Sequence, residues 1–329
     1  MRYFFAGYTT APFVPGADRS VEAKFYKELA RNPRIRGLEH PCLGGPGRCI
    51  DSWLLENLAP HWELLVTTLP AFMLGARENP SLGLASESEQ HRAAALRLMK
   101  EINSMVHRVN AQLARKAVVA IEIQSAPTRR TLMGQSSSAA FTRSLTELAL
   151  WDWDGARLVV EHCDAFLPGV RPQKGYLSLG EEIEAVLCSN ARSEVARIGM
   201  CVNWGRSVVE GKSVDTPLTH IRRLRELKLL SGVMFSGATA VKGQYGPWLD
   251  LHAPFAPARG CDHFTAESLL TEDEVGRTLQ VAGVSELDYL GIKLHEADSN
   301  ATLDRRIGIN NCALDIMDRC IRRMPASWF

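Results

Sequence analysis

The sequence has almost no excess of charge of either sign: 38 lysines and arginines against 37 aspartates and glutamates leave a formal net charge of +1 over 329 residues. A polyanion-binding surface needs a basic excess, so nucleic acid is not an expected partner. Long apolar runs are also missing. The least polar long stretch, residues 229–241, is too short and too rich in Gly and Ser to span a bilayer, so no membrane partner is expected. Residues 1–14 carry one arginine and a short apolar stretch, Tyr3 to Tyr8, without the longer core and cleavage site of a secretory signal. The eight cysteines contain no CxxC pair, and several lie inside apolar patterns, which reads as buried thiols rather than a disulfide framework. HExxH, GxSxG and zinc-type Cys/His spacings are absent. The expectation is a cytoplasmic globular protein.

What is present is an alternation of short apolar runs with longer amphipathic stretches, eight of each. The strand candidates are 3–8, 34–39, 62–69, 117–124, 157–163, 195–203, 231–236 and 289–295. They are rich in Val, Ile, Leu and Phe and do not alternate with polar residues in their middles, as parallel strands covered by helices do not. Helical spacing follows Asp18 (Val21, Phe25, Tyr26, Leu29) and Asp51, and runs from about 87 to 115 with Leu96, Met99, Ile102, Val106, Val109 and Leu113 on one face. Further helices are expected from Ser138 to about 150, near 179–193, 217–227, 267–281 and 303–323, with start signals at Asp215-Thr216-Pro217 and Thr271. Eight βα units without a linker favour an α/β fold of one kind, a (β/α)8 TIM barrel in a single domain over 1–329. The surplus over a typical barrel falls in long loops at 70–86 and 237–266, after strands 3 and 7, on the face where barrel active sites are built.

Residues two or four apart in a strand share a face. Gly37 thus pairs with Glu39, Gly199 with Asn203, Gly232 with Ser236 and Gly291 with Lys293, which suits an inward face packed below and polar above. Strand 5 ends Glu161-His162-Cys163-Asp164, where partial desolvation can make Glu161 a base; a structural ion pair is the plainer alternative. Strand 6 ends Asn203-Trp204-Gly205-Arg206. Asn203 suits a sugar hydroxyl, Trp204 a sugar ring, and Arg206 an acidic group, unless Arg206 only pairs with Glu161 or Glu122. On strand 8, Lys293 is expensive to bury alone, so it is either a Schiff-base amine, a fixed charge, or a partner of Glu161 or Glu122. Glu39 and His40 on strand 2, Glu122 and Gln124 on strand 4, and His295 with Glu296 on strand 8 complete the set. Asp250, His252, Asp262 and His263 in the strand-7 loop read as solvated residues or as a lid. Residues 43–47 (Leu-Gly-Gly-Pro-Gly) lack the Lys and Ser/Thr of a P-loop, and 134–138 read as a serine-capped helix start.

At these strand ends the sequence resembles the xylose-isomerase-like TIM barrels, the sugar isomerase and epimerase superfamily. The resemblance implies a divalent metal held by Glu, Asp, His and Glu from strands 5 to 8, with a substrate-binding His three residues after the second ligand. Glu161 matches the first ligand within Leu158-Val159-Val160-Glu161. Asn203 stands at the Asp, Arg206 at the following His, Ser236 at the metal-binding His and Lys293 at the final Glu. The start Phe4-Phe5-Ala6-Gly7-Tyr8 and the strand Met234-Phe235-Ser236-Gly237 also resemble the YihM-type proteins.

Replacing a carboxylate by an ammonium makes the site hostile to a hard cation, so no metal ligand and no cofactor are expected. Lys293 would then supply the metal's charge and Glu161 the base. Glu39, Glu122, His162, Asn203, Trp204, Arg206, Ser236 and His295 would bind substrate. The implied activity is an isomerase or epimerase on a small sugar, with an anionic one suggested by Arg206. A Schiff-base lyase or aldolase using Lys293 and a non-catalytic sugar-binding barrel are the alternatives, and assembly into a homo-oligomer is left open.

Overall fold

The computed structural model describes residues 2–12, 18–43, 50–129, 135–192 and 197–325. Most of the expected 43–47 turn, Gly134, Val195 and Cys49 lie outside the described residues.

Strands form where the apolar runs predicted them: β1 (Tyr3–Phe5), β2 (Ile35–Pro41), β3 (Glu63–Thr67), β4 (Val118–Ile123), β5 (Arg157–His162), β6 (Gly199–Asn203), β7 (Leu230–Phe235) and β8 (Tyr289–Ile292). They join in chain order into a closed barrel, so the (β/α)8 expectation is the observed fold. The intervening helices are α1 (Gly7–Thr10), α2 (Ser20–Leu29), α3 (Ser52–Asn57), α4 (Leu69–Glu78), α5 (Glu89–Gln112), α6 (Ser138–Ala149), α7 (Leu179–Asn190), α8 (Trp204–Gly211), α9 (Asp215–Glu226), α10 (Glu272–Ala282) and α11 (Leu303–Arg322). No helix among the described residues is long and apolar enough to cross a membrane.

Three helices were not expected. The expected 70–86 loop is in part helix, for Pro70 sits in the first turn of α4, where its missing N–H costs nothing. The short α1 and α8 begin at once after β1 and β6, so the strand ends expected at Tyr8 and at Trp204–Arg206 are helical turns instead. Between β7 and α10 only isolated bridges occur, among them Gly237 with Ala253 and Thr239 with Ser268.

The fold comprises two compact units, one of Met1–Glu39, Asn57–Trp62 and Val202–Phe329, the other of His40–Glu56 and Glu63–Cys201. In the first, β1 pairs in parallel with β2 and β8, and β7 with β8. Phe5 stacks edge-on against Trp62 at 5.5 Å, anchoring the apolar core beneath. Gly291 is needed where it stands: a Cβ there would come within 2.6 Å of the Met234 sulfur and 2.8 Å of the Phe4 carbonyl. In the second unit, β3, β4 and β5 run in parallel register, with Thr67 opposite Glu122 and Glu122 opposite Val159. Of the expected α5 stripe, Leu96, Met99, Ile102, Val106 and Val109 are buried, while Leu113 lies just past the helix end and is half-buried.

Cys163, Cys188, Cys201, Cys261, Cys312 and Cys320 are thiols, all but Cys188 buried. Cys42 corrects the expectation, because it is disulfide-bonded. It follows the end of β2 in a loop rather than sitting inside an apolar element.

Candidate active site

In the first unit the polar strand ends meet around Lys293. The ladder continues one residue past β8, since the Lys293 N–H donates to the Phe235 carbonyl at 2.8 Å. That fixes the side chain inward, where it is 2% exposed and its ammonium pairs with Glu39 Oε1. The Tyr8 hydroxyl donates to the same Glu39 oxygen at 3.4 Å, and its ring centroid lies 5.8 Å from Lys293 Nζ. Burial, then the Glu39 charge, push the Tyr8 hydroxyl far above its ordinary pKa, against the pull of Lys293 and Arg206. Tyr8 therefore keeps its proton at neutral pH and acts as a hydrogen-bond donor.

The start of α8 organises a second group. Asn203 caps the helix: its Oδ1 accepts the Arg206 N–H at 3.4 Å and the Ser236 hydroxyl at 2.7 Å. Gly205 lets that turn lie on the end of β7, for a Cβ would fall 2.6 Å from both Ser236 oxygens. Arg206 Nε donates to Asp250 Oδ2 at 3.1 Å, with the two side chains only 2% and 4% exposed. The other Asp250 oxygen lies 3.4 Å from His252 Nδ1. Trp204 corrects the sequence reading: it is fully buried and its indole N–H donates to Thr278 Oγ1 on α10 at 3.1 Å. Its ring belongs to the helix packing, not to a sugar platform, because the first helical turn rotates it away from Asn203.

A cavity of about 540 Å³ opens beside these groups, lined in part by Tyr8, Thr9, Asp250, His252, His295 and Glu296. That is within the range of small-molecule sites. His295 stands edge-on to Tyr245 at 6.4 Å, and burial lowers its pKa. Its backbone N–H donates to the His252 carbonyl at 2.8 Å, while Ala253 and Gly237 exchange backbone bonds of 2.8 and 3.0 Å. The strand-7 loop is thus pinned at Asp250–Ala253 rather than solvated there. Asp262 is exposed, and His263 faces the exposed Asp304 at 3.7 Å.

In the second unit strand alternation separates neighbours. Glu161 is wholly buried and accepts from Gln124 Nε2 at 2.9 Å, while Gln124 Oε1 accepts the Thr68 hydroxyl at 3.1 Å. Glu122, also buried, stands one layer lower, opposite Val159. His162 points the other way: its Nδ1 is 2.6 Å from Glu182 Oε2 on α7, and the Ser125 hydroxyl donates to the other Glu182 oxygen at 2.5 Å. It is a buried strand-to-helix tie, which corrects its expected substrate-binding role. Asp164 accepts backbone N–H groups of Gln173, Lys174 and Gly175 and holds a loop.

The expected partners of Lys293 and Arg206 were Glu161 or Glu122, but Lys293 pairs with Glu39 and Arg206 with Asp250. Sequence reasoning missed Tyr8 as a site residue, although Tyr8 is the one polar side chain at the end of the first strand pattern. It left Asp250 and His252 open between solvent and a lid, since nothing in a loop's composition tells which residues are pinned.

A family model described as a domain of unknown function, DUF4862, matches residues 4–309. The chain belongs to that family. An uncharacterised protein of Salmonella typhimurium, STM3670, is 35% identical over 321 residues, 98% of each chain. Among solved structures, the DUF4862 barrel is similar to a D-psicose 3-epimerase of Clostridium cellulolyticum, with a TM-score of 0.57, 12% identity, and coverage of 98% of this chain and 99% of that one. It is also similar to the 3-keto-D-glucoside 4-epimerase YcjR of E. coli, with a TM-score of 0.54, 10% identity and coverage of 95% and 100%. A Brucella melitensis AP endonuclease scores 0.56 at 14% identity, with coverage of 95% and 99%. At such identities the likeness shows the fold, a xylose-isomerase-like barrel, and no activity.

That fold implies a divalent metal at the positions of Glu161, Asn203, Ser236 and Lys293, and these residues do not fit one. Glu161 is bonded by Gln124, the Asn203 oxygen already accepts two hydrogen bonds, Ser236 donates its hydroxyl to it, and Lys293 brings a positive charge. In the first unit two neutral groups and an ammonium are a poor donor set for a hard cation.

Proposed function

We propose that this DUF4862 protein is a sugar isomerase or epimerase that moves a proton beside a carbonyl and stabilises the resulting oxyanion with its own side chains. The observation that carries the reading is the Lys293–Glu39–Tyr8 cluster, whose tyrosine lines a cavity of ligand size. Removing a proton next to a carbonyl puts negative charge on the carbonyl oxygen. The ammonium keeps further N–H donors after pairing with Glu39, and the Tyr8 hydroxyl, held by Glu39 at 3.4 Å, turns its proton to the oxyanion as that charge develops. Sugar epimerases among the structures sharing the fold supply a substrate class in keeping with this chemistry. The near-neutral charge speaks against the nucleic-acid substrate of the endonucleases with the same fold.

Two finer expectations change. Arg206 has Nε on Asp250, so the proposal makes no demand for an anionic sugar. The Schiff-base alternative loses ground, because the nucleophile must be a neutral amine and the Glu39 carboxylate favours the ammonium. Kinship with the YihM-type proteins stays part of the proposal and rests on the start Phe4-Phe5-Ala6-Gly7-Tyr8, which delivers Tyr8. A cytoplasmic setting goes with it, favoured by the free thiols though not by the Cys42 disulfide.

The test is a panel of aldoses and ketoses incubated with the protein in D2O and read by NMR. Deuterium entering at the carbon next to the carbonyl supports the proposal. A borohydride-trapped adduct on Lys293 would turn the choice to the lyase reading, and tight sugar binding without exchange to the non-catalytic one.

A further inference from the structure

We infer that His252 is an acid–base residue of the cavity, oriented by Asp250, which Arg206 in turn fixes. The inference rests on the proposed proton-transfer chemistry and names the group that would carry the proton. An isomerase needs, besides donors for the oxyanion, a side chain that takes a proton from carbon and returns it.

Three observations point to His252. It lines the cavity. Its Nδ1 faces Asp250 Oδ1 at 3.4 Å, while Asp250 Oδ2 is held by Arg206 Nε at 3.1 Å. The contact is electrostatic and not a hydrogen bond, and the Asp250 charge beside Nδ1 favours a proton there over one on Nε2, which leaves Nε2 able to accept a proton. The third is the backbone. His252 has φ of 54°, the left-handed region that a residue other than glycine enters at a cost. Its carbonyl accepts from the His295 N–H, and its neighbour Ala253 is bonded both ways to Gly237, so the surroundings enforce the conformation. Strain maintained in this way is characteristic of side chains that must be aimed.

The step balances simply. The carbon–hydrogen bond beside the carbonyl breaks, its electron pair forms the enolate double bond, and the carbonyl oxygen takes the charge opposite Lys293 and Tyr8. The proton resides on His252 Nε2 until it is delivered to the former carbonyl carbon, while the proton of the neighbouring hydroxyl passes to the oxyanion and a new carbonyl forms there, so aldose and ketose interconvert. His252 is then the catalytic residue, and Asp250 a positioning residue that acts through it.

His252→Asn and Asp250→Asn test the inference on the intact chain. Asn is chosen at 252 because it tolerates the left-handed conformation. Nitrogen-15 NMR of the histidine-labelled protein should give the Nδ1–H tautomer at His252 in the wild type and a redistribution toward Nε2–H in Asp250→Asn. Diethyl pyrocarbonate, followed by peptide mass spectrometry, should acylate His252 faster in the wild type than in Asp250→Asn. With a sugar that exchanges, His252→Asn should slow exchange by about 10²–10⁴-fold, with little change in sugar affinity. An Nε2–H tautomer in the wild type, or wild-type exchange in His252→Asn, overturns the inference. Absence of exchange with every sugar in the wild type overturns the isomerase reading, and with it the catalytic role of His252; the tautomer and acylation results then decide the Asp250–His252 arrangement alone.

Discussion

Lys293 carries a full charge into an interior where 2% of it is exposed, and Glu39, its partner, is wholly buried. Removing one member of such a pair leaves the other charge in a low-dielectric setting, whereas removing both can be nearly neutral. Lys293→Met should therefore lower unfolding stability by roughly 3–5 kcal/mol, and Lys293→Met with Glu39→Gln should regain most of it, as measured by urea denaturation. Trp204 separates the two roles open to it. Trp204→Phe should lose roughly 1–2 kcal/mol through the Thr278 hydrogen bond and lost volume, while sugar affinity by titration calorimetry stays unchanged. A large loss of affinity with no loss of stability would return Trp204 to the site. These residues show why strand-end chemistry was legible and its orientation was not. Composition and spacing mark Glu161 and Lys293 as inward and costly. Where a strand turns directly into a helix, as after Asn203, one turn decides whether a side chain faces cavity or core.

At the scale of elements, caps and terminal ion pairs do the local specification. Ser178 and Glu181 form a reciprocal capping box at the start of α7, so Ser178→Ala should cost about 1 kcal/mol in thermal or urea unfolding. Thr271 caps α10 as its position suggested, and α6 opens at Ser138 as expected, capped by Ser137. Glu272 in the first turn of α10 bonds Arg319 at 2.7 Å and Arg323 at 2.8 Å near the end of α11. The Arg319 hydrogen bond, aided by both positive charges, holds the Glu272 carboxyl below the ordinary carboxylate range despite its partial burial. A depressed carboxylate adds stability that is complete above the unfolded pKa of about 4.3 and is lost as pH falls through the folded value. Glu272→Gln should accordingly be about 0.5–1 kcal/mol less stable at pH 7 and indistinguishable from wild type in acid. Paired unfolding curves at the two pH values check this. Helix α4 escaped the sequence because a proline serves equally as breaker and as first-turn residue, and only the residues after Pro70 distinguish the two.

For the molecule as a whole, the barrel was the most legible feature, because eight buried parallel strands leave an apolar periodicity that no single residue can hide. The site was legible only in part. Glu39 and Lys293 share a face by strand register, but Tyr8, Asp250 and His252 enter through a short helix and a pinned loop whose course depends on long-range hydrogen bonds. On the proposed reading the molecule is a sugar-isomerase barrel whose oxyanion donors are protein side chains. The most direct test of that reading is hydrogen exchange at the carbon next to a sugar carbonyl, observed by NMR in D2O on chelator-treated protein. Exchange should persist without added metal and fall about 10²–10³-fold in Tyr8→Phe, a variant that keeps the ring and removes one donor. Exchange that appears only on adding Mn²⁺ or Co²⁺, or that Tyr8→Phe leaves untouched, would contradict it.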